Sequence, residues 1–205
     1  MPTAKSAIQP DSCPTLFNSA KAFGTWLKKN HATSDGLWLK IAKRGADESS
    51  VTYPEAVEVA LCWGWIDGQK KGLDDQHFLQ RFTLRRARSV WSKINVDKVA
   101  ALIEAGRMEA PGYAQIEAAK ADGRWAQAYD GARTSTVPED LLTALEAEPR
   151  AKTFFATINA ANRYAILWRI QTAVKAETRA RRIAQLVEML ARGENIHNVK
   201  PGAKA

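Results

Sequence analysis

The chain of 205 residues has only two cysteines, Cys13 and Cys62, and three histidines, His31, His77 and His197. Two thiols are too few for a disulfide framework, which fits a reducing, cytoplasmic setting. The histidines and cysteines share no ligand spacing, so neither a zinc site nor any other cofactor is expected. No apolar run approaches the roughly 20 residues that cross a bilayer, and no membrane span is expected. Residues 1–10 carry a lysine with no apolar stretch behind it, unlike a secretory signal. A Walker loop and a G-x-S-x-G elbow are missing too. The regular spacing of Gly64, Gly68 and Gly72 suits strand and turn geometry. What is present is globular: 45% apolar and 25% charged residues, proportions that exclude collagen-like and disordered chains.

The net charge of +8 is unevenly spread. Residues 1–149 hold 19 basic and 19 acidic groups, whereas residues 150–205 hold 11 basic and 3 acidic ones. A second basic stretch, residues 68–98, has 8 basic and 3 acidic groups. Summed positive potential attracts phosphate-rich ligands, so an acidic small molecule or a nucleic acid is the partner this pattern suggests. A solvated helical face is the plainer explanation of the C-terminal excess.

Periodicity gives an α+β fold: a small antiparallel sheet flanked by helices, followed by a compact all-helical C-terminal domain. Residues 1–18 read as a disordered leader, 19–130 as the α+β domain, 137–197 as the helical domain and 198–205 as a disordered tail. Phe23, Trp26 and Leu27 form a helical stripe, and the turn-forming run NHATSDG (30–36) ends it. Leu37, Leu39 and Ile41 alternate as in a strand. Thr52 and Glu55 frame a capping box with Pro54 between them, opening a helix to about Trp63. Strands follow over 65–70 and 78–84. Asn95 is read as the cap of the next helix, residues 113–121 as a short one, and Thr136 to Glu139 as a second capping box. Helices are then expected to the end of the chain, over 151–158, 163–172 and 178–192, the last with Ile183, Val187 and Leu190 on one face.

The chemistry-bearing residues concentrate between Trp65 and Lys93. Trp65, Asp67 and Gln69 lie on one strand and Arg81 on the next, followed by Arg85, Arg86, Arg88, Trp91 and Lys93. Guanidinium groups grip phosphate or carboxylate bidentately, and exposed tryptophans offer a stacking surface. Four arginines within eight residues repel one another, and an anion relieves that repulsion. Asp67 would orient an arginine or, if the site is catalytic, act as its base; it is the one weak candidate for a catalytic residue. The competing structural reading puts Trp65 and Trp91 in the core and pairs Asp67 with Arg81 across the hairpin. Tyr164 and Trp168, four apart on a C-terminal helix, read as core aromatics.

Three strings, LCWGWIDGQKKGLDD (61–75), QRFTLRRARSVWSKIN (80–95) and ANRYAILWRIQTAVKAETRARRI (161–183), resemble the YdeI/OmpD-associated, or bacteriocin-protection, family over nearly all of residues 20–197. Leu84 departs from it, standing where members tend to have proline before the double arginine. The resemblance implies a bacterial protein with an α+β N-terminal part and a helical C-terminal domain. It implies an association with envelope stress and peptide resistance, but no reaction and no catalytic residues. The expected function is therefore a non-enzymatic protein that binds an anionic ligand, a phosphorylated metabolite or nucleic acid, at an arginine and tryptophan surface. The alternatives are an enzyme using Asp67 and a protein-interaction module on the C-terminal helices.

Overall fold

The computed structural model describes residues 13–197. Most of the expected leader and all of the expected tail, residues 1–12 and 198–205, lie outside the described residues. The chain divides into two compact units, one of residues up to 89 together with 95–126, the other of residues 90–94 together with 127 onward.

In the first unit, helix α1 (Ala20–Asn30) starts where the Ser19 hydroxyl accepts the Ala22 amide at 3.2 Å, and it buries Phe23 and Leu27. Strands β1 (Leu37–Ala42), β2 (Trp65–Gly72) and β3 (His77–Leu84) form an antiparallel sheet in the order β1-β3-β2. Thr15 bridges Leu39 on the outer side of β1, its amide donating to the Trp38 carbonyl and its carbonyl accepting from Lys40, both at 2.9 Å. Residues just before α1, expected as leader, thus extend the sheet. The capping box of α2 (Tyr53–Cys62) is complete: Thr52 Oγ1 accepts the Glu55 amide and Glu55 Oε2 accepts the Thr52 amide.

The register sets Leu37 opposite Phe82 and Trp65 opposite Leu84. In an antiparallel pair, residues directly opposite share a face, so Leu37, Phe82 and Trp65 point the same way. Rings from α1 meet that face, Phe23 against Phe82 at 5.6 Å and Trp26 edge-on to Trp65 at 5.7 Å. The register slips between Asp67 and Lys70. Buried Gln80 accounts for the slip's stability, because its side-chain amide donates to the carbonyls of Gly68 and Gln69 that the bulge removes from the ladder.

Helix α3 (Lys93–Glu104) begins two residues before the expected Asn95 cap, and α4 spans Ala110–Ala121. Gly112 lies inside α4 where a β-carbon would land on the Cys62 backbone carbonyl and within 2.6 Å of the Met108 methyl. Helix propensity alone favours alanine there by about 1 kcal/mol. The backbone oxygen cannot swing away, so Gly112→Ala should instead lower stability by about 1–2 kcal/mol in urea unfolding. A stabilised variant would show that α4 is free to shift away from the end of α2.

The second unit holds α5 (Glu139–Glu146), α6 (Pro149–Thr157), α7 (Ala160–Gln171) and α8 (Ala176–Ala191). Their shared core contains Leu141, Leu145, Phe155, Ile166, Ile170, Ile183, Val187 and Leu190. The expected capping box at Thr136 does not form. Pro138 is the N-cap of α5 and supplies no side-chain acceptor; Glu139 and Asp140 in the first turn favour the positive end of the helix instead. Asp140 also holds Arg179 of α8 in a two-point ion pair at 2.5 and 2.9 Å, which keeps its carboxyl below the usual range.

Candidate functional site

The residues singled out between Trp65 and Lys93 do not share one environment. Trp65 is fully buried, with its indole N–H donating to the His31 carbonyl at 3.1 Å. Trp91 is also buried, and it belongs to the second unit, where its carbonyl accepts the Tyr129 amide. A ring enclosed in this way has no face left for a ligand, so stacking on Trp65 or Trp91 is set aside. Lys93, also of the second unit, is exposed and ion-paired with Asp130 at 2.8 Å.

Asp67 stands opposite Phe82, not Arg81, and its carboxylate accepts the Tyr53 hydroxyl at 2.7 Å. Burial pushes the Tyr53 phenol well above its ordinary range, and the bond to the Asp67 carboxylate pushes it further. Both effects keep the proton on the phenol, so the pair is a fixed hydrogen bond joining α2 to β2. Gln69 is exposed on the bulge. Arg81 lies over the Trp38 ring, its guanidinium carbon 5.8 Å from the centroid, on the sheet face opposite Phe82.

Arg85, Arg86 and Arg88 follow the end of β3. The Arg85 amide donates to the Gly64 carbonyl at 3.0 Å, and the Ser89 amide to the Arg86 carbonyl at 2.9 Å. Arg124 from the end of α4 donates to the Ser89 carbonyl, so the turn is tied at both ends. Arg85 is only 2% exposed, whereas Arg86 and Arg88 reach solvent.

Arg85 and Arg86 line a hollow of about 430 Å³ together with Thr83 and the loop residues Thr33, Ser34 and Asp35. The loop is shaped by short-range bonds. The Thr33 and Ser34 amides both donate to the Asn30 carbonyl, and Ser34 Oγ accepts the Gly36 amide at 3.2 Å. Gly36 then turns the chain into β1 with φ +124°, a conformation that L side chains rarely adopt. The sequence read NHATSDG only as a turn. Its hydroxyls and carboxylate were the available signal, but nothing local says that the end of β3 lies beside them.

Residues that carry two guanidinium groups, three hydroxyls and one carboxylate line this hollow, whose size suits a small anion. The arginines would grip the charged group, and the hydroxyls and Asp35 would meet hydroxyl or amine groups on the same ligand. Such a volume falls within the usual range for small-ligand sites. Among the described residues no group of three or more His, Cys, Asp or Glu is placed to hold a metal ion. No described helix is long and apolar enough to cross a membrane.

Residues 15–115 match the model of a domain of unknown function (DUF8412). Residues 134–193 match the model described as Bacteriocin-protection, YdeI or OmpD-Associated. No curated protein and no solved structure matches the chain. Two of the three strings that carried the resemblance in the sequence, 61–75 and 80–95, thus lie within the region matched by the domain of unknown function. The family this chain resembles is therefore the bacteriocin-protection, YdeI or OmpD-associated family, through the segment that carries α5 to α8.

Proposed function

We propose that the first unit is a binding module for a small phosphorylated metabolite, held between Arg85, Arg86 and the hydroxyl-bearing 33–35 loop. The carrying observation is the pairing of a buried with an exposed arginine on the wall of one hollow. Burial fixes the direction of the Arg85 fork, so less side-chain freedom is lost when an anion arrives. Arg86 adds charge from the solvent side.

The distribution of the remaining cations favours a small ligand over a polynucleotide. A polynucleotide needs cations spaced along its length. Here Arg81 lies over Trp38 and Lys93 is neutralised by Asp130. Asp67 does not line the hollow and its carboxylate is engaged by Tyr53, which favours binding over catalysis. The matched family's description, bacteriocin protection, supports a setting of resistance against peptide stress.

Thermal unfolding in a panel of anions at matched ionic strength tests this reading. Phosphate and ribose 5-phosphate should raise the melting temperature saturably, with about 1.4 kcal/mol of stabilisation at ten times Kd. Sodium chloride of equal ionic strength should not. Equal shifts with chloride would reduce the effect to general screening and defeat the proposal.

A further inference from the structure

A second hollow lies wholly within the helical unit. Its volume is about 450 Å³ and its walls include Trp168, Arg169, Thr172, Arg182, Gln185 and Met189. The arginines here come from the basic run of α8 and the last turn of α7. Arg182 Nη1 donates to the Arg169 carbonyl at 2.5 Å and lies 3.4 Å from the Thr172 hydroxyl, so it caps the exposed carbonyls at the end of α7. Arg169 Nη1 donates to the Ala165 carbonyl at 2.9 Å. Arg179 caps the neighbouring Ile170 carbonyl but is neutralised by Asp140. Arg169 and Arg182 differ from it: among the described residues neither has a carboxylate within 4.0 Å.

The carbonyl bonds engage Nη1 of each guanidinium and set its orientation, which leaves Nε and Nη2 for an outside acceptor. The other half of the hollow is apolar. Trp168 is half-buried and held edge-on to Tyr129 at 6.1 Å, and Met189 and Leu186 lie on the same lining. A flat ring packs well on tryptophan and thioether surfaces. Two cations on the lining of such a surface suit a ring that carries negative charge.

We propose that the α7–α8 hollow binds a small planar aromatic anion, its ring against Trp168 and Met189 and its carboxylate or phosphate on Arg169 and Arg182. This site is separate from the Arg85–Arg86 hollow and stands whether or not that one binds phosphate.

Amide and indole N–H spectra of the full chain, with the Trp168 signal assigned through Trp168→Phe, provide the test. Salicylate, AMP and inorganic phosphate are titrated at constant ionic strength. Salicylate or AMP should move the Trp168 signal saturably, half-complete at or below about 1 mM. Movement with salicylate alone identifies an aromatic carboxylate, and movement with AMP alone a nucleotide. Gln185 is exposed on the lining, so Gln185→Glu sets a carboxylate beside the arginines without disturbing their carbonyl bonds. It should weaken binding at least about tenfold, whereas Arg86→Gln should not change it. The proposal fails if neither ring-bearing probe moves the signal by 10 mM, if phosphate moves it as far as they do, or if Gln185→Glu binds as tightly as the parent.

Discussion

Trp65→Ala is expected to cost about 3–5 kcal/mol, enough to unfold most of the first unit at 37 °C. Trp65 has no exposed surface, packs edge-on against Trp26 and supplies the hydrogen bond that satisfies the His31 carbonyl. Removing it opens a cavity under the sheet and leaves a polar group at the end of α1 without its partner. Trp65→Phe separates the two contributions. It keeps most of the packing and loses the bond, so roughly 1–3 kcal/mol should go. Chemical unfolding followed by circular dichroism measures both. A Trp65→Ala protein as stable as the parent would mean that the indole is exposed in solution, and stacking on it would return as a possibility for the site.

The second large effect is expected at Gly36. Alanine there meets two obstacles: the backbone stands at φ +124°, and a β-carbon would lie 2.5 Å from the Phe82 carbonyl oxygen and 2.7 Å from the Thr83 methyl. The Arg81 guanidinium, 3.1 Å away, is the end of a flexible chain and can yield, but the Phe82 oxygen belongs to the central strand of the sheet. Gly36→Ala should therefore lose about 2–3 kcal/mol, or roughly 6–12 °C in melting temperature. Gly45→Ala is the matched control, since it has φ +86° and nothing within 4 Å of a built β-carbon. It should cost only about 1 kcal/mol, the conformational share. Equal losses at the two positions would show that the approach of the 33–35 loop to β3 is looser than described.

What could be read from the sequence was local. Thr52, Pro54 and Glu55 make their contacts within four residues, so the capping box of α2 was legible before any tertiary structure was known. The alternation in β1 and β3 gave the strands for the same reason. The similar-looking run at Thr136 failed because Pro138, which has no side-chain acceptor, takes the cap position. The site was legible only in part. Arg85 and Arg86 stood out as charge, but the slip beside Gly68 separates Asp67 from Arg81 and sets it beside Tyr53, a helix away. Burial of the tryptophans was one of two readings open from the sequence, and for Trp65 it is decided by Trp26 arriving from α1. The 33–35 loop gained its place only through long-range strand pairing, Leu37 with Phe82. In the helical unit, the contrast between Arg179 and Arg182 depends on where a single aspartate falls.

Calorimetric titration of inorganic phosphate into the parent protein and into Arg86→Gln bears on the Arg85–Arg86 hollow with least ambiguity. Arg86 is exposed, so its replacement should leave the fold intact while removing half of the guanidinium pair. The expected result is saturable heat in the parent and at least about tenfold weaker binding in the variant, a loss of 1.4 kcal/mol or more. Identical isotherms for the two proteins, or no heat in either, would contradict a phosphate site at the end of β3.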